Sequence, residues 1–269
     1  MRCSFSIATI LLPAALLASP GSTAAGQQLA YTVPSPATAT YVLTDNTSMS
    51  ITGSPMGPIE LGGGSTFNYA LTFAADGEGV RVSAELNSFE AQMTDPMGGA
   101  QVVSQAQAGV ASTFEAVLGG QGLADVVSES RRADGDLPIL VDPHAVLFPG
   151  LPAGDASAGA TWVDTVTVGV GDGGERVVVY TYTLEGEATH DGRPHLRIAV
   201  SGESRMTMSG QGMSMDLTGS ESGYYLWDLE RGLMASAEVS RSSEGGMAAP
   251  DGTRVAIAFS ATTQLTLEN

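Results

Sequence analysis

The sequence predicts a mainly β fold: a curved antiparallel meander sheet or half-barrel with one or two short helices. Three observations carry this expectation. Apolar residues recur at every second position in run after run, Asp–Gly and Ser–Gly clusters separate the runs, and no long stretch keeps helical spacing.

The chain opens with Arg2, an apolar run from Ile7 to Ala18 broken at Pro13, and the small-residue sites Ser22-x-Ala24 and Thr23-x-Ala25. That is the layout of a cleaved signal peptide over 1–25. The run is far shorter than the roughly 20 residues that span a bilayer. Export to the periplasm or beyond is therefore expected, with no integral membrane span after signal removal. Residues 26–40, with Pro34 and Pro36, read as a flexible lead-in. The remainder, 41–269, reads as a single β-rich domain in two halves, 41–136 and 137–269.

Within the first half, Phe67, Tyr69, Leu71 and Phe73 share one strand face. After a turn at Asp76-Gly77, Val80, Val82, Ala84 and Leu86 alternate back, which makes a hairpin. Val103, Ala106, Val110, Phe114 and Val117 stand three or four apart and predict a helix. Leu137 to Phe148 predicts a second, short helix restricted by Pro138 and Pro143, and 149–159 a connector. In the second half, strands carry Val166, Val168 and Val170; Val178, Tyr180, Tyr182 and Leu184; Leu196, Ile198 and Val200. They are followed by Tyr225 and Trp227; Leu233, Ala235, Ala237 and Val239; and Val255, Ile257, Phe259, Leu265 and Leu267.

Composition removes several functions. The net charge is −18, and all 11 basic residues are arginine, so neither nucleic acid nor an anionic membrane would meet a basic patch. Aromatics make up 6%, too few for the girdles of an outer-membrane barrel. Cys3, the only cysteine, precedes the apolar run, so a processed chain has no disulfide and no thiolate chemistry. Without lysine there is no P-loop lysine or Schiff base. Gly219-Ser220-Glu221-Ser222-Gly223 has glutamate where a nucleophile elbow needs serine. His190-Asp191-Gly192-Arg193-Pro194-His195 reads as a solvated hairpin tip, because a metal would need further ligands. Asp–Gly pairs at Asp76, Asp134, Asp172, Asp191 and Asp251 are turn chemistry, with no calcium-loop ligand ladder. No catalytic residue, metal or cofactor is assigned, and a non-enzyme is expected.

Two segments carry a resemblance. One is Leu147-Phe148-Pro149-Gly150-Leu151-Pro152-Ala153-Gly154-Asp155 with Ala160-Thr161-Trp162. The other is Gly223-Tyr224-Tyr225-Leu226-Trp227-Asp228-Leu229-Glu230-Arg231-Gly232-Leu233. They resemble a connector and a strand–turn–strand in exported bacterial proteins of the DUF6263-like type, themselves similar in outline to the LolA and LppX half-barrel carriers. The resemblance covers mainly 137–267. It implies a curved sheet and a few helices around an apolar cavity, and it brings no catalytic motif.

The most distinctive text is Arg205-Met206-Thr207-Met208-Ser209-Gly210-Gln211-Gly212-Met213-Ser214-Met215-Asp216. If Ser209 to Gly212 turn the chain, Met206 and Met208 share one strand face, Met213 and Met215 share a face of the partner strand, and in suitable register the four thioethers meet across the hairpin. Methionine is an adaptable core residue and suits surfaces that accept varied apolar ligands; thioethers also suit Cu(I). The leading expectation is a protein that binds an apolar small molecule, a lipid or an acylated partner, lined by Met206, Met208, Met213, Met215, Tyr225 and Trp227. The alternatives are an interaction module with a solid core and a Cu(I) binder using the four methionines. Nothing in the sequence sets an oligomeric state.

Overall fold

A computed structural model describes residues 26–55, 57–77, 79–94, 99–104, 110–130, 143–170, 174–210, 213–248 and 252–268. The expected signal peptide, 1–25, lies outside them. So do the turns at Asp134, Asp172, Gln211-Gly212 and Asp251.

A short strand, β1 (Gln27–Gln28), precedes a first meander: β2 (Thr38–Thr52), β3 (Ile59–Asp76), β4 (Gly79–Thr94), β5 (Ala100–Val103), β6 (Thr113–Gly119) and β7 (Gly122–Glu129). A connector follows, holding α1 (Pro143–Leu147) and β8 (Asp155–Ala156). The second meander is β9 (Thr161–Val170), β10 (Gly174–His190), β11 (Arg193–Gly210), β12 (Met213–Asp228), β13 (Leu233–Ala248) and β14 (Arg254–Glu268).

Both meanders belong to one strongly curled antiparallel sheet, a half-barrel, in the order β7-β6-β4-β3-β2-β14-β13-β12-β11-β10-β9, with β5 added on β4. The predicted fold class is therefore the observed one. The seam between halves is the β2–β14 ladder, where Leu43 faces Leu265 and Asp45 faces Thr263. Because the first meander ends at one edge and the second starts at the other, the connector has to bridge the opening. It does so along the concave side: Leu147, Phe148, Leu151 and Ala156 are all buried in the main core.

Alternation explains the core. Phe67, Tyr69, Leu71 and Phe73 on β3 and Val80, Val82 and Ala84 on β4 are buried, as the hairpin reading required. The second meander turns inward Val178, Tyr180, Tyr182 and Leu184, then Leu196, Ile198 and Val200. Each such side chain withdrawn from water stabilises the fold by roughly 1.5–3 kcal/mol. Curl has two sources. Bulges interrupt the register at Asn68/Tyr69, Leu184/Gly186 and Leu226/Trp227, and a bulge bends its strand. Glycines also let neighbouring strands close in: a Cβ on Gly223 would collide with the Glu238 carbonyl oxygen, and one on Gly245 with that of Asp216.

Two expectations are corrected. The helix predicted around Val103, Val110, Phe114 and Val117 does not form at the described positions: Val103 ends β5, and Phe114 and Val117 lie in β6, while Ala106 is outside the described residues. The period that wins is two, with Phe114, Ala116 and Leu118 buried against Ala84, Val82 and Val80 of β4. The lead-in is not loose. Gln27 and Gln28 pair with Ala156 and Asp155, and Leu29 and Tyr31 are buried in the main core. Two apolar side chains at alternate positions outweigh the loosening effect of the prolines that follow. The second expected helix is present as the single turn of α1, whose first residue is Pro143, a position where a missing N–H costs nothing.

Candidate functional site

Along the strands, the interior divides into three levels. The first is the closed end, where lead-in and connector meet the sheet. Tyr31 packs edge-on to Trp227 and Phe148, with centroids 5.1 and 6.1 Å apart, and its hydroxyl donates to the Pro149 carbonyl at 3.0 Å. Trp162 stacks on Tyr182 at 5.5 Å and donates from Nε1 to the Gly150 carbonyl at 2.9 Å. The Tyr41 hydroxyl donates to the Met234 carbonyl at 2.8 Å. Burial pushes the hydroxyls of Tyr31, Tyr41, Tyr182 and Tyr225 well above their ordinary 10.0.

The second level is a belt of buried charge. Arg241 donates to Asp45 Oδ1 at 2.6 Å and to Thr263 Oγ1 at 3.1 Å, and the Thr263 hydroxyl donates to the same carboxylate oxygen at 2.6 Å. Beside it, Glu221 takes Arg176 on one oxygen and the Tyr180 hydroxyl on the other, the latter at 2.7 Å. Burial raises the Asp45 pKa, while Arg241 and the Thr263 hydrogen bond draw it down. Ala145 and Val146 of α1 lie over this belt, leaving a cavity of about 20 Å³. That is room for about one water. Among the described residues, the space between α1 and the sheet is this small one, with Val166, Val168, Val178, Tyr180 and Tyr225 also lining it.

The third level is the open end. A second apolar cluster holds Met206, Leu217 and Ile257, with Met49, Ile51, Met215 and Met247 packed against it. Beyond it lies one row across four consecutive strands: Met208 of β11 faces Met215 of β12, which faces Met247 of β13, which faces Val255 of β14. An open groove of about 550 Å³ is lined by this row and its neighbours, including Thr207, Ser209, Ser214 and Asp216. The Asp216 carboxylate is held by Arg205 through Nε at 3.3 Å and a terminal nitrogen at 2.8 Å, which lowers its pKa.

The structure thus separates the residues that the sequence grouped. Met206, Met208 and Met215 share the open end, Met206 beneath the groove opposite Leu217. Met213 is placed by its backbone opposite Gly210, one row nearer the hairpin tip. Tyr225 and Trp227 do not join them: both are buried in the main core. Met247 was missed because it lies on another hairpin. Asp45 and Arg241 were missed because 196 residues separate them. The one local signal for the belt was a charged residue at an inward position of an alternating strand.

Of the other motifs, His195 is buried, with Nδ1 3.0 Å from the Arg193 carbonyl oxygen, so the exposed tip runs from Asp191 to Pro194 and leaves His195 out. Among the described residues, no three His, Cys, Asp or Glu side chains gather as a metal site, and no helix is long and apolar enough to cross a membrane.

No known protein family and no curated protein matches the chain. Among solved structures, one described as "Lipid-protein interactions in lipovitellin" is similar, with a TM-score of 0.48 and 11% identity. The alignment covers 87% of this chain and 25% of that one, so the chain spans about a quarter of that protein's length. Fold and geometry define a half-barrel closed at one end by its own chain and open at the other onto a methionine-lined groove.

Proposed function

We propose that this protein is an exported, non-enzymatic envelope protein that binds an apolar ligand, a lipid or an acylated partner, in the groove at the open end. The observation that carries the reading is the row Met208, Met215, Met247 and Val255 beside about 550 Å³ of open space. That volume lies within the roughly 300–1,000 Å³ usual for small-ligand sites. Flexible, polarizable thioethers suit a surface that must fit more than one apolar shape. Hydroxyl groups, Arg254 and an already paired carboxylate flank the row, a setting for holding a ligand with an apolar body and a polar end. The signal-like segment before residue 26 supports export.

Native mass spectrometry of protein purified from its host tests this, together with titration of a fluorescent fatty-acid analogue. A retained apolar mass is expected, along with saturable probe binding that Met247→Asp abolishes. Ligand-free protein that also ignores the probe would overturn the reading in favour of an interaction module, whose partner cross-linking would then recover.

A further inference from the structure

We propose that Met208, Met215 and Met247 together form a soft-metal site for monovalent copper. This goes beyond apolar binding, because it asks why the row is built from methionine rather than leucine. The three residues occupy facing register positions on adjacent strands β11, β12 and β13. Alternation puts them on one side of the sheet, and strands stand roughly 4.8 Å apart. All three are half-buried and line the same groove.

The strands beside them are drawn in tightly. At Gly245, two positions before Met247 and on the same face, β13 lies so close to β12 that a Cβ would collide with the Asp216 carbonyl oxygen. A sheet folded this sharply toward its inner side makes side chains on that side converge. The three thioethers offer neutral sulfur lone pairs, the preference of Cu(I) over zinc or magnesium, and the carboxylate that shares the groove, Asp216, is already taken by Arg205. Binding involves no electron transfer: the ion arrives as Cu(I) and exchanges solvent ligands for sulfur.

The ligand set differs from the four methionines that the hairpin alone suggests. Met206 is buried one row deeper, opposite Leu217, and Met247 takes its place from the neighbouring hairpin.

The experiment uses the full chain carrying Cys3→Ser, so that no thiol competes. Cu(I) is titrated anaerobically against a chromophoric chelator, and X-ray absorption identifies the donor atoms. One Cu(I) per chain with sulfur scatterers is expected. Met208→Leu, Met215→Leu or Met247→Leu should each weaken binding by about 10–100-fold, at least what loss of an outer-shell partner costs. Met206→Leu should leave it unchanged. Leucine preserves the apolar surface, so all four variants should still bind the fatty-acid probe. Nitrogen or oxygen donors alone, or Met247→Leu binding as well as the parent, would overturn the copper site while leaving the apolar reading intact. Loss of probe binding with Cu(I) binding retained would do the reverse.

Discussion

The two ends of the interior are built from the same alternating strands and differ in what seals them. At the closed end, inward positions carry Tyr41, Phe67, Tyr69, Tyr182 and Trp227, and the chain supplies its own plug from the lead-in and connector. At the open end, inward positions of the same sheet carry Met49, Met206, Met208, Met215 and Met247, and no described segment crosses them. Rigid rings with hydroxyls that reach backbone carbonyls make a unique, locked core. Unbranched thioethers make a surface that can rearrange. Between them, the charged belt ties five strands through Asp45, Arg176, Tyr180, Glu221, Arg241 and Thr263. It keeps the two apolar regions from merging into one.

The largest expected effect breaks the closed end. Phe67 is fully buried, its ring 5.1 Å from Phe89 and 6.3 Å from Tyr69. Phe67→Ala should cost about 3–5 kcal/mol in urea unfolding. Met215→Ala, at a half-buried position, should cost clearly less. Equal losses would mean that the two ends are equally packed.

The belt comes next. Arg241→Met leaves Asp45 buried without its cation and should cost about 3 kcal/mol near neutral pH. Burial raises Asp45 in the folded state above its ordinary 3.8, so the folded protein favours the protonated form. The stability this adds is complete below the unfolded value and is lost as pH rises through the folded one. Relative to Asp45→Asn, the parent should therefore weaken as pH climbs out of the acid range. In Arg241→Met, that loss should extend to higher pH, because the charge that draws the carboxyl down is gone. Parallel urea midpoints for parent and Asp45→Asn across pH 3 to 7, a range set by the ordinary carboxylate values, would refute the assignment.

Curvature gives a smaller effect. Gly223→Ala forces β12 and β13 apart at the Glu238 carbonyl and should cost about 1–3 kcal/mol. If it also weakens probe binding in the groove, the sheet's curl shapes both ends together.

What the sequence made legible follows from range. The β3–β4 hairpin was readable because alternation and turn lie within a few residues of each other, whereas the facing of Met208 and Met215 was not: the expected turn began at Ser209, but Ser209 and Gly210 continue β11 and pair with Ser214 and Met213, which sets the register. Met247 depends on the β12–β13 register, which a bulge at Leu226/Trp227 resets, and a bulge leaves no mark in periodicity. The central β2–β14 ladder and the Asp45–Arg241 pair join the two ends of the chain, which no local pattern encodes. The false helix came from counting Val103, Val110, Phe114 and Val117. Phe114, Ala116 and Leu118, ahead of the Gly120-Gln121 turn, already held the correct period.

The smallest effect concerns the plug. Tyr31 links lead-in to connector by one hydrogen bond to the Pro149 carbonyl, so Tyr31→Phe should cost about 1 kcal/mol at neutral pH while keeping the ring contacts with Phe148 and Trp227. Its pH dependence is the sharper test. Burial holds the Tyr31 hydroxyl well above 10.0 in the folded state, whereas the unfolded chain ionises at the ordinary value. Stability from the protonated hydroxyl is complete below pH 10 and drains away above it, as the unfolded state alone sheds the proton. Phenylalanine has no proton to lose. The deficit of Tyr31→Phe should therefore shrink above pH 10, by up to about 1.4 kcal/mol per pH unit, until the variant overtakes the parent. A deficit that stays constant to pH 11, about one unit above the ordinary tyrosine value, would mean that water reaches Tyr31 and that the lead-in does not seal the closed end.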